Sequence, residues 1–218
     1  MRVNEQGRSM IEMLGVLAIV GVLSVGGIAG YSKAMAKFKA NKVIDQVTMI
    51  STNIRTLYAS QRTFNGLNNV LAKQTNAIPA EMFDNASNSV INNGFGGNVH
   101  VGTADHLGKP DQAYVIGFDS IPKAACVTMA TTDWGGDAGS GFAWMSVSQV
   151  AEDAGATFTM PATVATALEA TGNPENADSD TYFAIPGGAG NQASPLSVVA
   201  ANSACQSDTN NVFVWKYI

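Results

Sequence analysis

The chain has 218 residues, with 12 Lys/Arg against 17 Asp/Glu, a net charge of −5, and 13% charged residues in all. That length suits one moderate domain plus an anchor, or two very small domains. The low charge excludes the profile of a disordered chain. Charge is also segregated: residues 1–78 hold nine Lys/Arg and three Asp/Glu, a balance of +6, while residues 79–218 hold three and fourteen, a balance of −11. An acidic second part argues against a nucleic-acid surface there. Two readings of the segregation stand side by side: attraction between copies of the chain, of modest and salt-screened strength, or a solvated helix face followed by a soluble acidic domain.

The first element is an apolar run. From Met13 to Tyr31 there are 19 residues, or ~28 Å of helix, close to the ~30 Å hydrocarbon core of a bilayer. Glu12 at its edge is the only acid or base between Arg8 and Lys33. Held at mid-bilayer, such a carboxylate costs roughly 2.5 to 3.5 kcal/mol, and no Lys or Arg of this chain is placed to reach it. Its partner is expected on another molecule. The run is long for a signal-peptide core and its flank carries Glu5 and Glu12, so it reads as an uncleaved anchor.

The helix is expected to continue. No proline precedes Pro79, so one helix of ~75 Å fits from about Ser9 to Ala59. Its second half is amphipathic: Val43, Val47, Ile50, Ile54 and Leu57 step by 4, 3, 4 and 3. That stripe is expected to dock on a globular head while Lys37, Lys42 and Arg55 stay in water. In the first half, Gly21, Gly26, Gly27 and Gly30 each lower helix propensity by ~1 kcal/mol. Gly26 and Gly30 form a G-x-x-x-G that lets helices approach closely.

Farther along, Leu67–Lys73 is a short helical candidate. Asn93 to Val101 reads as a glycine turn feeding a first strand, and Ala113–Phe118 as a second. Residues 134–143 are rich enough in glycine to read as a loop. Pro161 through Gly172 has proline at a helix start and glycine at its end, and Ser194-Pro195 opens a second such helix. Residues 212–218 read as a strand with bulky residues on both faces, inside a sheet rather than at its edge.

Signals of catalysis are sparse. His100 and His106 flank Asp105, but their spacing fits no common zinc pattern, and a polar turn between strands is the expected setting. Gly187 to Gly190 reads as a flexible loop rather than a phosphate cradle. Glu175, Asp178 and Asp180 lack an ordered ladder of calcium ligands. No catalytic residue, metal ligand or cofactor is assigned, and the chain is not expected to be an enzyme.

The N-terminal pattern resembles that of a known family. A short hydrophilic leader ends in Gly7, a hydroxyl residue (Ser9) stands second after it, and Glu12 stands fifth, ahead of the apolar helix. This resembles the class III leader of type IV prepilins, which prepilin peptidase cuts after the glycine. The resemblance implies Gly7 at the cut, Arg8 as the new N-terminus, and Glu12 as the carboxylate that meets the terminal amine of a neighbouring subunit. Arg8 stands where the family usually has Phe, Met or Leu, the residue that carries N-methylation in that family. The Asn93–Val101 turn-strand, the Ile121-Pro122-x-Ala-Ala-Cys126 segment and the late helix leading to Cys205 resemble type IVb pilins, and look closest to the thin-pilus pilins of conjugative plasmids. In family members the helix melts locally near a mid-membrane proline, and the glycine cluster is expected to supply the same weakness here.

The resemblance implies an α+β fold, with the long N-terminal helix packed on an antiparallel β-sheet head that carries short helices. It divides the chain into a leader (1–7), a membrane and filament-core helix (8–31), an amphipathic helix (32–60) and a globular head (61–218). It implies a homopolymeric filament, prepilin peptidase and inner-membrane assembly machinery as partners, and a membrane-anchored precursor with its head in the periplasm, later exposed on the cell surface. The lysines after the span point the other way under the positive-inside rule, and the family orientation is preferred. Cys126 and Cys205, the only cysteines, lie 79 positions apart. In an exported domain they read as a disulfide worth ~4 kcal/mol in the chain-entropy model, and in a cytosolic protein as two buried thiols. A structural subunit is the leading reading. A minor pilin or secretion pseudopilin is the second, and an anchored periplasmic binding domain or enzyme the third.

Overall fold

The structure is a computed structural model. It describes residues 10–83, 90–136, 139–149, 158–170, 174, 181–188 and 192–218. The chain forms two compact units, the first ending at Phe38 and the second covering Lys39–Ile218.

Helix α1 (Met10–Leu57) runs 48 residues, with Glu12 in its first turn and Arg55 in its last. Both charges oppose the helix macrodipole and stabilise the ends. In the second unit its buried positions include Ala40, Val43, Val47, Ile50 and Ile54, steps of three and four that put them on one face. Helix α2 (Asn69–Gln74) starts at Asn68, whose side chain accepts from Leu71 N at 2.9 Å.

Among the described residues five strands make one antiparallel sheet: β1 (Val99–His106), β2 (Lys109–Ile121), β3 (Phe142–Gln149), β4 (Thr181–Ala184) and β5 (Asn211–Tyr217), in the order β1-β2-β5-β3-β4. The last strand is therefore the middle one. The β1–β2 hairpin turns through Leu107 (φ 51°) and Gly108 (φ 73°), the pair of positive φ values that a two-residue type I′ loop requires. At the β1 edge, Asn69 stands in for a neighbouring strand: its Nδ2 donates to Val99 O at 3.0 Å and its Oδ1 accepts from Val101 N at 2.6 Å. An edge closed in this way offers fewer free groups to another strand.

Every residue of β5 is buried because both sheet faces are covered. Phe213, Trp215 and Tyr217 join Val47, Ile50 and Ile54 of α1 in one core. Val212 and Val214 join Trp144, Phe183 and the inner face of helix α4 (Ala162–Glu169) in a second. On that second face Phe158 lies over Gly117, where a Cβ would overlap its ring, and stacks on His100 at 5.4 Å. Helix α3 (Lys123–Ala130) follows Pro122, and helix α5 (Val198–Ala204) follows Ser197, whose Oγ accepts from Ala200 N at 3.2 Å. A disulfide joins Cys126 in α3 to Cys205 at the end of α5, with Cα atoms 5.8 Å apart.

Several expectations need correction. His100 and His106 belong to strand β1 rather than to a turn, because the two-residue loop at Leu107-Gly108 lets the strand run to His106. Residues 142 and 143, expected in the glycine-rich loop, open β3, where pairing with β5 outweighs their flexible flank. Helix α5 starts at Val198, later than Ser194-Pro195, since Ser197 supplies the cap. Arg55 is not free in water, for its guanidinium lies 5.9 Å from the centre of the Tyr217 ring.

Candidate assembly surface

The first half of α1 presents apolar side chains all round. Ile11 is 78% exposed, Leu17 63%, Leu23 68% and Val25 72%. Its most apolar stretch has a mean hydropathy of 2.2 and none of it is buried. An exposed apolar surface of this extent is stable only in lipid or against other protein. Gly21, Gly26, Gly27 and Gly30 lie on this helix with nothing within 4 Å of a Cβ placed on any of them. They leave shallow steps at which another helix can approach. Glu12 faces outward in the first turn of the helix, and among the described residues no basic side chain pairs with it. Gly7 and Arg8 lie outside the described residues.

In the second unit several charged side chains have partners. Lys42 pairs with Glu81 at 3.4 Å, and the Lys39 ammonium sits 5.8 Å from the Phe95 ring centre. Under α1, Ser51 Oγ and Tyr114 Oη are 2.8 Å apart, Tyr114 and Tyr217 stack at 5.3 Å, and Arg55 lies beside both rings. Burial raises the pKa of both tyrosines. For Tyr114 the Ser51 hydrogen bond and the Arg55 charge oppose that rise, and for Tyr217 the nearby Tyr114 adds to it. On the other sheet face, Lys216 is only 3% exposed and donates to the Leu168 carbonyl in the last turn of α4 at 3.2 Å. Burial lowers its pKa, and the charge of Asp105 partly restores it.

A buried polar network shapes the turn that leads into β1. Asp119 accepts from Asn98 N at 2.6 Å and from Asn98 Nδ2 at 3.0 Å, and its own carbonyl accepts from Asn93 Nδ2 at 2.8 Å. Gly97 lies so close to Asp119 that a Cβ there would overlap its oxygens. Asp119, Lys216 and the Tyr114–Tyr217 pair belong to no motif in the sequence. Their one legible sign was a polar residue inside an otherwise apolar strand.

The two histidines lie apart from any acid cluster among the described residues. Burial lowers the pKa of His100 and His106, with Lys216 and Lys109 adding to the effect at His106. His100 is spent in stacking on Phe158. A groove of about 560 Å³ between α2 and β1 is lined by Asn68, Asn69, Gln74 and His100. The Asn68 and Asn69 amides in it already serve the α2 cap and the β1 edge. Among the described residues no three His, Cys, Asp or Glu side chains cluster to hold a metal. Glu175, Asp178 and Asp180 lie outside the described residues. Gly187, with φ 72°, turns the chain after β4.

The comparison with known proteins decides the family. The family model described as Bundlin matches residues 33–185. The chain belongs to the bundlin family. This bundlin-family chain is 30% identical over 187 residues to the major structural subunit of bundle-forming pilus of Escherichia coli O111:H-, a match covering 82% of the chain and 94% of that relative. It is 32% identical over 131 residues to the protein of the same description from Escherichia coli O127:H6 (strain E2348/69 / EPEC), covering 60% and 66% of the two chains. Among solved structures it aligns with TcpA, a type IV pilin from Vibrio cholerae El Tor biotype, at a TM-score of 0.49 and 16% identity, over 83% of this chain and 99% of that one. Membership of the bundlin family agrees with the resemblance to type IV pilins carried by the leader and the apolar helix.

Proposed function

We propose that the chain is the structural subunit of a type IV, type IVb-like pilus, and that its role is architectural rather than enzymatic. The carrying observation is the first half of α1, which is apolar, exposed and headed by Glu12, unpaired among the described residues, in a chain related to major pilus subunits. On this reading residues 1–7 are a leader removed by prepilin peptidase between Gly7 and Arg8. Residues 8–31 first span the inner membrane and then form the filament core. Residues 32–60 dock on the head, which is built by residues 61–218 and stands in the periplasm before assembly.

Lipid tails are as apolar as these side chains, so leaving the bilayer brings little net hydrophobic gain. Helix packing at the glycine steps and the pairing of Glu12 with the Arg8 amine of a neighbouring subunit therefore set the register. The Cys126–Cys205 disulfide, favoured in an oxidising compartment, closes the head before assembly. Inner-membrane pilus machinery extracts the subunit, and the polymer carries adhesion, aggregation or conjugation at the cell surface.

Mass spectrometry of material sheared from the cell surface tests this reading. The expected result is filaments of a chain that begins at Arg8. Surface filaments whose subunits retain Met1 would overturn the processing step, and surface material lacking this chain would overturn the function.

A further inference from the structure

Two Asn-Gly dipeptides occur in the sequence, Asn65-Gly66 and Asn93-Gly94, and the fold treats them in opposite ways. In such a pair the backbone nitrogen of the glycine can attack the side-chain carbonyl carbon of the asparagine. A C–N bond forms, the glycine N–H proton passes to solvent base, and the side-chain nitrogen leaves as ammonia. Water then opens the cyclic imide at either carbonyl and leaves aspartate or isoaspartate. The net change is NH2 replaced by OH, with no oxidant or reductant. The reaction needs a free side-chain amide, a free glycine N–H and room for both to move.

At Asn93 none of these is available. Its side-chain oxygen accepts from Phe95 N at 2.8 Å and from Gly97 N at 3.2 Å, and its amide nitrogen donates to Asp119 O at 2.8 Å. The would-be nucleophile, Gly94 N, donates to Gln46 Oε1 at 3.1 Å. The Asn93 residue is 6% exposed.

At Asn65 all three are available. The residue is exposed, as is Gly66, and neither the Asn65 amide nor Gly66 N has a partner among the described residues. Gly66 occupies the third position of a turn closed by Leu67 N donating to Phe64 O at 3.1 Å, with φ 79° and nothing within 4 Å of a Cβ built on it, the type II pattern that selects glycine. The hydrogen bonds the pair does make go to its two backbone carbonyls: Tyr58 Oη donates to Asn65 O at 3.3 Å and Asn68 Nδ2 to Gly66 O at 3.1 Å.

We propose that Asn65-Gly66 is a modification site at which the folded chain deamidates spontaneously to aspartyl and isoaspartyl forms, while Asn93-Gly94 is protected by its hydrogen bonds. The product adds a negative charge to the turn that follows α1. The isoaspartyl form also lengthens the backbone there by one methylene, between Tyr58 and the buried Leu67. If the chain stands in a surface filament, as proposed above, subunits that are not replaced accumulate the mark with age. The chemistry itself does not depend on that reading, because it is measured on the isolated chain.

The test holds the full chain in detergent micelles at mildly alkaline pH and follows both sites by peptide mapping, with fragmentation that separates isoaspartate from aspartate. Conversion at Asn65 is expected to outpace that at Asn93 by at least about tenfold, since reaction at Asn93 must wait for local opening that breaks four hydrogen bonds. In denaturant the two sites are expected to react at similar rates. The variant Asn65→Gln should remove the fast product without changing the unfolding of the head. Equal rates at the two sites in the folded chain overturn the proposal. So does a preference for Asn65 that persists unchanged in denaturant, because the fold would then not be its cause.

Discussion

The two halves of α1 differ in what surrounds them rather than in backbone. Between Met10 and Phe38 large apolar side chains such as Leu17, Leu23 and Val25 are exposed. Between Ala40 and Ile54 the apolar residues at helical spacing are buried against the sheet. The same helix is thus satisfied within the chain in one half and left without cover in the other. A helix apolar on every face needs surroundings from outside the chain, whereas a helix with one apolar stripe finds them in its own fold.

Matched substitutions break or sharpen that contrast. Val47→Asp places an unpaired charge in the core under α1 and should destabilise the second unit by more than about 4 kcal/mol. Leu17→Asp should leave the same unfolding transition within about 0.5 kcal/mol while abolishing filaments. Denaturant unfolding followed by fluorescence of the buried Trp134, Trp144 and Trp215 reads both. A comparable loss from Leu17→Asp would mean that the first half is already covered within the chain.

The next effect belongs wholly to the second unit. Removing the Cys126–Cys205 bridge with a paired Cys→Ala variant should lower its stability by about 2 to 5 kcal/mol, and gel mobility with and without reductant should differ for the parent chain alone. An unchanged unfolding midpoint would leave the bridge without a stabilising role.

The smallest effect is a pH dependence. The pKa of Tyr217 is raised by burial, so the folded state keeps its proton at pH values where the unfolded state has lost it. Its contribution to stability is complete below the ordinary tyrosine value of about 10 and is lost as pH rises toward the folded value. Lys216, with its pKa lowered by burial, acts with the opposite sign below its ordinary value, so the tyrosine term is isolated by comparison with Tyr217→Phe. That variant should lose stability less steeply above about pH 10 than the parent chain. Parallel pH curves for the two proteins would exclude Tyr217 as a source of the slope.

Much of the fold was legible where the signal was local. The 3–4 spacing from Val43 to Leu57 marked the docked face of α1 as far as Ile54, with Leu57 exposed at the helix end, and Pro161 marked the start of α4. The bulky residues on both faces of β5 pointed to a strand inside a sheet. Strands β3 and β4 were not legible. Ser146 and Ser148 dilute the apolar pattern of β3, a glycine-rich stretch precedes it, and β4 is four residues long. Both are strands because β5 and β3 respectively lie beside them, and that pairing is written in distant residues. The same holds for Arg55, which helical periodicity placed in water and which the Tyr217 ring, 162 positions later in the sequence, draws into a half-buried site.

The sequence by itself determined the long helix, its change from uniformly apolar to striped, the lone Glu12 and the glycine that precedes it. These follow from nearest-neighbour propensity and from periods of three to four residues, which need no distant contact. Tertiary structure alone decided the strand order, the burial of Lys216 and Asp119, and which of two identical Asn-Gly pairs stays exposed. Each of these depends on what the folded chain brings alongside a residue, and local sequence carries no record of that neighbour.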